Sequence, residues 1–445
     1  MLKKVLVANR GEIAVRIIRA CKELGIRTVS VYSEADKDAL HTGLADEAYC
    51  IGPALPKKSY LNEKNILEVA YHTGIDSIHP GFGFLSENAN FAKMCTECNI
   101  KFIGPKFETI ELMGNKSNSK TLMKKAGVPV IPGSDGVVTD YIEALKIAEE
   151  IGYPVILKAS LGGGGKGIRI VNSDAEMKQL FEIVKQESIN AFKNGDIYIE
   201  KYITNPRHVE VQILADSFGN VIHLGERDCS IQRKNQKIIE ETPSSILDLK
   251  TKNKMYKAAI DVAKVSKYEG AGTIEFLVDG NNFYFMEMNT RIQVEHPITE
   301  MVTGVDIVKE QLKIASGEAL AKKQGDIKLN GHSMECRINA EIPEKNFMPC
   351  PGTIKELHFP GGNGIRIDSS VYSGYTIPSN YDSMIAKLIV HSESREESIN
   401  KMITALEECV IDGINTNIEF LLKILKNEDY RKNNYDTSFI EKKFI

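Results

Sequence analysis

The chain has 445 residues, too many for one hydrophobic core, so about two to four domains are expected. With 42% hydrophobic and 26% charged residues it has the composition of a globular protein, and no apolar run approaches the ~18 residues of a membrane span. A net charge of −4 offers no basic footprint for nucleic acid.

The start, MLKKVLVANRGE, holds an apolar run of only four residues, Val5 to Ala8, too short for a signal-peptide core. Residues 3–8 read as a buried strand. Gly11 to Leu24 follows as a helix, with Ile13, Ile17, Cys21 and Leu24 at helical spacing and Gly25 as its stop. Further strands, RTVSVYS, AYCIG, DSIHPG and KFIGP, alternate with helical stretches to about residue 105, the pattern of an α/β parallel sheet with covering helices. The first turn reads NRGEIA and lacks GxGxxG, which argues against a nicotinamide cofactor. HPGFGFLSEN, His79 to Asn88, follows a strand and reads either as a ligand loop at a sheet edge or as a plain turn.

Cys95 and Cys98 form a CxxC without the second pair a zinc knuckle needs, so they read as ordinary helix cysteines. The eight scattered cysteines suit the reduced thiols of a cytoplasmic protein. From about 115 the character changes: NKSNSKTLMKKAGVPV reads as a helix ended by Gly127 and Pro129. Residues 130–204 carry two short strands around a glycine cluster, a helix from Asp174 to Phe192, and DIYIEKYI. Long strands and helices return over 205–330, and a third segment runs from 331 to 445.

The glycine cluster lies in ILKASLGGGGKGIRI, Ile156 to Ile170. Glycine lets backbone N–H groups approach and surround phosphate. A Walker loop would need glycine at Ser160, and a kinase loop precedes its lysine, whereas Lys158 comes first here. The order strand, lysine, glycines, strand fits a hairpin that folds over a nucleotide as a lid.

GTIEFLVDGNNFYFMEMNTRIQVEHP is the most informative stretch. Two apolar strands flank Asp279-Gly280-Asn281-Asn282, and an odd-length turn centred on Asn281 places Glu275 opposite Glu287, with Asn289 on the same face. Carboxylates among apolar residues call for a cation, and hard oxygen ligands beside a phosphate loop point to Mg²⁺; a salt-bridged pair of glutamates is the plainer alternative. Arg291, Gln293 and Glu295 alternate with Ile292 and Val294, so an extended backbone gives them one face. An arginine fork and a carboxylate base suit a small oxyanion such as bicarbonate. ERDCSIQRKNQKIIEE, Glu226 to Glu241, reads as a solvated helix face or, through Gln232 and Lys237, as part of a polyanion site; Cys229 has no evident histidine partner.

YPVILKAS-GGGG-KG, ERDCSIQR…QK and EMNTRIQVEHPITE, with ANRGEIAVRIIRA, HPGFGFLSENANFA, ECRINAE and YDSMIAKLI, resemble the biotin carboxylase branch of the ATP-grasp superfamily over essentially the whole chain. Within it the sequence is most similar to the bacterial subunits of acetyl-CoA carboxylase. The resemblance implies an N-terminal Rossmann-like domain (1–114), an ATP-grasp domain (115–330, lid about 131–204) and a C-terminal α+β domain (331–445). It implies carboxylation of biotin by bicarbonate and ATP, with Mg²⁺ or Mn²⁺, through carboxyphosphate. Lys116, Lys158, Gly163, Gly164, Gly165, Lys166 and Gly167 then match phosphate and lid positions. Glu200, Lys201, Ile203, His208, Gln232 and Leu277 match the rest of the nucleotide site, and Glu275, Glu287 and Asn289 the metal site. Lys237, Arg291, Gln293 and Val294 match the bicarbonate pocket, Glu295 the general base, Arg337 the group that stabilises the biotin enolate, and Phe82 and Gly83 the loop near biotin. The family usually has tyrosine at Phe82 and QRRHQK where this chain has QRKNQK, with Lys234 and Asn235. No Met-Lys-Met biotin-acceptor tripeptide is present. The resemblance therefore implies biotin on a separate carrier protein, separate carboxyltransferase subunits, and a homodimer.

Another ATP-grasp ligase, joining a carboxylate to an amine, shares the lid and metal carboxylates; the RIQVE stretch with Arg337 argues against it. A regulatory paralogue without turnover is expected to lack Glu295, Lys237 or a metal carboxylate, and all are present.

Overall fold

The computed structural model describes residues 2–159, 167–192 and 195–445, with only the backbone for 116–117 and 191–192. Five strands open the chain: β1 (Lys4–Val7), β2 (Arg27–Tyr32), β3 (Glu47–Cys50), β4 (Ser77–His79) and β5 (Lys101–Phe102). They form one parallel sheet in the order β3-β2-β1-β4-β5. Successive side chains of β1 alternate between two cores: Val5 and Val7 pack with Ile13 and Ile17 of the helix Gly11–Glu23, while Leu6 and Ala8 pack with Ile78 and Phe91. This burial of both faces explains why the strands read as unbroken apolar runs. Cys95 is buried and Cys98 exposed near the end of the helix Ala89–Glu97, and both are free thiols.

Asn115 ends the helix Phe107–Gly114 and caps the helix Lys116–Lys125, its side chain accepting from Asn118 N at 3.0 Å. Beyond it β6 (Val155–Ala159), β7 (Ile168–Val171) and β8 (Ile197–Lys201) form a small antiparallel sheet in the order β7-β6-β8. The helices Tyr141–Ile151 and Asp174–Phe192 accompany it, and Leu157, Phe181 and Ile199 belong to a core of its own. The glycines 162–165 and Lys166 lie outside the described residues. Gly167, at φ +71°, is described: its carbonyl accepts from Ala159 N at 2.9 Å, and a Cβ there would come within 2.8 Å of Ala159 Cβ. Glycine is the residue this hairpin can hold at that point.

The largest sheet has eight antiparallel strands. It takes in β9 (Arg207–Ala215), β10 (Val221–Arg233), β11 (Gln236–Thr242), β12 (Gly270–Asp279), β13 (Asn282–Asn289) and β14 (His332–Asn339), then Ile365–Ser369 and Met384–Ser392. It runs straight through the division placed at 330–331 from sequence, because β11 pairs with β14 (Ile239 with Cys336, Glu240 with Glu335). The segment after 331 supplies most of one core, where Cys336 and Leu388 meet Met402 and Leu421, and Ile231, Ile238 and Ile239 of the preceding strands join it.

The charged stretch 226–241 is not a solvated helix. It is the β10–β11 hairpin, and Glu226, Arg227 and Asp228 are buried. Lys234 and Asn235 make its two-residue turn with φ of +48° and +65°, the primed turn whose twist suits a hairpin.

Candidate active site

An open cleft of about 1370 Å³ lies between the small sheet, the large sheet and the N-terminal domain. Lys158, Lys201, Ile203, His208, Gln232, Lys237, Glu275 and Leu277 line it, as do Glu287, Asn289, Arg291, Gln293, Val294, Arg337, Phe82 and Gly83. The side chain of Lys116 lies outside the described residues.

At the upper end, Lys158 of β6 reaches Glu200 of β8 at 2.7 Å, and Lys120 reaches the other carboxylate oxygen at 2.8 Å. Burial opposes ionisation of Glu200, but the two lysines draw its pKa below the ordinary value. Lys201 turns its ammonium onto the carbonyls of Gly152 and Tyr153, at 2.9 and 2.8 Å, so its side chain holds the small sheet together.

The floor is a row of charged residues lined up by strand register. Glu287 on β13 stands opposite Glu275 on β12, which stands opposite Glu210 on β9, which stands opposite Arg227 on β10. The route to the first pairing differs from the one predicted. The turn is two residues long, with Asp279 opposite Asn282, and a bulge at Met286 shifts the register by one before Glu275. Asn289 Nδ2 donates to Glu275 Oε1 at 2.9 Å, and His208 Nε2 lies 3.1 Å from Glu275 Oε2. Across the β10–β11 turn, Gln232 and Lys237 are directly paired and both face the cleft.

Lys237 is the hub of the lower end. Its ammonium contacts Glu210 at 2.7 Å, Glu275 at 3.0 Å and Glu295 at 2.6 Å. Burial works against its charge, but the carboxylates outweigh burial and hold its pKa well above the usual lysine range. His208, Glu210 and Glu275 bring donor atoms within 4.8 Å of one another, as metal ligands do, yet the Lys237 ammonium stands on two of the three.

Residues 290–295 do not take the extended form that would give Arg291, Gln293 and Glu295 one face; they form bends and turns leading into the helix His296–Thr303. The polar side chains converge all the same. Gln293 Nε2 donates to Glu275 at 3.1 Å, and Arg291 donates to Asn289 and Gln293 at 3.0 and 3.1 Å and to Glu87 at 3.0 Å. Glu295, fully buried, meets Lys237 through one oxygen and Arg337 through the other, at 3.0 Å. Burial favours its neutral form, but Lys237, Arg337 and Arg227 hold its pKa well below the carboxylate range. Cys229 lies 3.8 Å from Glu295, and burial pushes its thiol pKa well up, which removes it as a nucleophile.

Several partners escaped the sequence reading: Glu210, Arg227, Glu240, Lys120 and Glu87. One signal was present for Glu210. His208, Glu210 and Gln212 alternate with valines on β9 and therefore share a face. Glu240 binds Arg337 from behind at 2.5 and 2.7 Å, and only the β11–β14 pairing brings it there.

A lysine beneath a three-stranded cover, oxygen ligands below it, and a buried carboxylate between two cations make a site for activating a small acid with a nucleotide. Three family models match the chain: "Biotin carboxylase, N-terminal domain" over residues 1–110, "Carbamoyl-phosphate synthase L chain, ATP binding domain" over 115–323, and "Biotin carboxylase C-terminal domain" over 335–442. Biotin carboxylase 1 of Bacillus subtilis (strain 168) is 58% identical over 443 residues, 99% of this chain and 98% of that one. A pyruvate carboxylase subunit of Methanothermobacter thermautotrophicus is 55% identical over 441 residues, 99% of this chain and 90% of that one. The biotin carboxylase domain of the Hydrogenobacter thermophilus 2-oxoglutarate carboxylase, solved as a dimer with MgADP, ADP and bicarbonate, superposes with a TM-score of 0.91 at 53% identity. That match covers 99% of this chain and 98% of the solved one. The chain belongs to the biotin carboxylase family, and is thus an ATP-dependent ligase.

Proposed function

We propose that the chain uses ATP to phosphorylate bicarbonate and passes the resulting CO₂ to biotin on a separate carrier protein. The observation that carries this reading is Glu295 held between Lys237 and Arg337 at the foot of a nucleotide-sized cleft.

In the substrate-free protein both cations sit on Glu295, which makes it a weak base. Bicarbonate entering between them would draw Lys237 and Arg337 onto its own oxygens. Glu295 would then lose two stabilising partners and become a stronger base next to the proton it must take. Arg291, braced by Glu87, Asn289 and Gln293, orients the anion. The deprotonated bicarbonate oxygen attacks the γ-phosphorus of ATP; carboxyphosphate and ADP form. Lys158 is placed to steady the phosphates, and the small sheet to keep water from the acyl phosphate. Carboxyphosphate breaks to CO₂ and phosphate, the phosphate takes the biotin N1′ proton, and Arg337 stabilises the enolate.

Glu275, Glu287 and Asn289 fit a hard divalent ion by donor type: two carboxylates and an amide from the β12–β13 hairpin line the cleft, and the ion would take the place of Lys237 and Gln293 on Glu275 Oε1. Magnesium bound there would offset the negative charge of the transferring phosphoryl group. Phe82 and Gly83 line the cleft together with Asn9 and Arg10, and this loop is proposed to meet biotin.

The final acceptor is proposed to be acetyl-CoA, through separate carboxyltransferase subunits, in the cytoplasm and with the chain as a homodimer. A keto-acid carboxylase is the second reading, favoured by the 55% identity to part of a pyruvate carboxylase. ADP release measured with ATP, bicarbonate and free biotin tests the proposal. Wild-type turnover should require bicarbonate and rise with biotin, and Glu295→Gln should lose at least about 100-fold in kcat. Turnover indifferent to biotin, or driven by an amine, would sink it.

A further inference from the structure

Residues 290–295 carry most of the bicarbonate-facing groups and lie between β13 and the helix His296–Thr303, whose His296 and Ile298 N–H groups donate to the Gln293 and Glu295 carbonyls at 3.4 and 3.3 Å. Side chains from other elements add to this hold. Glu87 receives Thr290 N at 3.2 Å, and His296 Nδ1 lies 2.8 Å from the Gln293 carbonyl. A further hold comes from Lys387, on the strand Met384–Ser392, whose ammonium donates to the Val294 carbonyl at 2.9 Å.

Lys387 has no exposed surface. A buried ammonium is costly unless paired, and a methionine of similar length could fill the same space without that cost. Its charge is met by Glu12 at 3.2 Å and Asp368 at 3.7 Å. Glu12 lies at the start of the first helix, beside the cleft-lining Arg10 and Gly11. The register makes the hold specific. Lys387 stands directly opposite Arg337. Arg337 grips the Glu295 side chain, and its neighbour Lys387 grips the backbone one residue earlier. The two adjacent cations thus hold two consecutive residues, Val294 by its backbone and Glu295 by its side chain, at the end of the segment that carries the base.

We propose that Lys387 is a positioning residue for bicarbonate: through the Val294 carbonyl it sets where Glu295 and Gln293 stand relative to Lys237. This rests on the bicarbonate reading above, and nothing in it requires Lys387 to touch substrate.

The test is steady-state ADP release with free biotin, varying bicarbonate and ATP separately, for wild type, Lys387→Met and the charge-balanced Glu12→Gln/Lys387→Met. The expected result is a bicarbonate KM raised about tenfold or more with a lowered kcat, while the ATP KM stays within about twofold. The double variant removes the stranded carboxylate, so it decides the matter if the single variant misfolds. A folded double variant with an unchanged bicarbonate KM overturns the proposal, as does a parallel loss toward both substrates. Failure of both variants to fold also overturns it, making Lys387 a residue of the fold first. Wild-type turnover that ignores bicarbonate would instead indict the functional reading itself.

Discussion

At the scale of single residues, the site works by crowding. Three carboxylates share one ammonium at Lys237, and a fourth, Glu240, stands behind Arg337. Burial, reinforced by Glu295, raises the Glu240 pKa from 4.5 to about 7, against the pull of Arg337. Its proton is therefore held more tightly in the folded than in the unfolded chain. The stability linked to it is fully present below pH 4.5 and is lost as the pH rises through about 7. Glu240→Gln, which mimics the protonated form, should remove that loss. Its stability relative to wild type, measured by urea unfolding, should improve between pH 5 and pH 8 by up to about 3 kcal/mol. A difference independent of pH would show that Glu240 is ionised throughout. Cys229 illustrates the converse. From the sequence it stood out as a lone thiol among charges, but buried beside Glu210 and Glu295 it is kept neutral.

At the scale of elements, register decides which residues meet. Local signals in the sequence were enough to mark the β12–β13 hairpin and its two carboxylates, because the DGNN turn and the apolar flanks are contiguous. They were not enough to place the bulge at Met286, which depends on how β13 fits its neighbours. Residues 226–241 misled for a related reason. A dense run of charges normally marks solvent exposure, whereas here most of the charges are buried against partners on other elements, Asp228 with Arg207, Arg227 with Glu210 and Glu226 with Lys252 among them. Nothing in a single strand reveals such partners. The Lys234-Asn235 turn between β10 and β11 also acquires a meaning that the family pattern did not supply. Both residues have positive φ, and asparagine tolerates that region better than most. Asn235→Val should destabilise the fold by about 1–3 kcal/mol and loosen the Gln232–Lys237 pairing, read as a lower denaturation midpoint and a weaker bicarbonate response. An unchanged midpoint would mean that the turn relaxes without cost.

At the scale of the whole molecule, one eight-stranded sheet carries the floor of the cleft on β9 to β13 and Arg337 on β14. The α/β character of the N-terminal region was legible because buried parallel strands leave unbroken apolar runs. The continuity of the large sheet across residue 330 was not, since pairing between β11 and β14 joins positions about a hundred residues apart. This continuity brings Arg337 to Glu240 and puts Lys387 beside Arg337, within reach of Val294, so the base, its cations and their supports are joined through one sheet. Among the described residues no helix is long and apolar enough to cross a membrane. The small sheet, by contrast, has a core separate from that of the large sheet.

The central claim is that bicarbonate itself attacks ATP at the pocket formed by Lys237, Glu295 and Arg337. Oxygen-18 bicarbonate tests it most directly, with the phosphate released during biotin-dependent turnover analysed by mass. Attack by a bicarbonate oxygen predicts that each released phosphate carries one labelled oxygen. Phosphate without label, while biotin is carboxylated, would mean that water or biotin takes the phosphoryl group and would contradict the account.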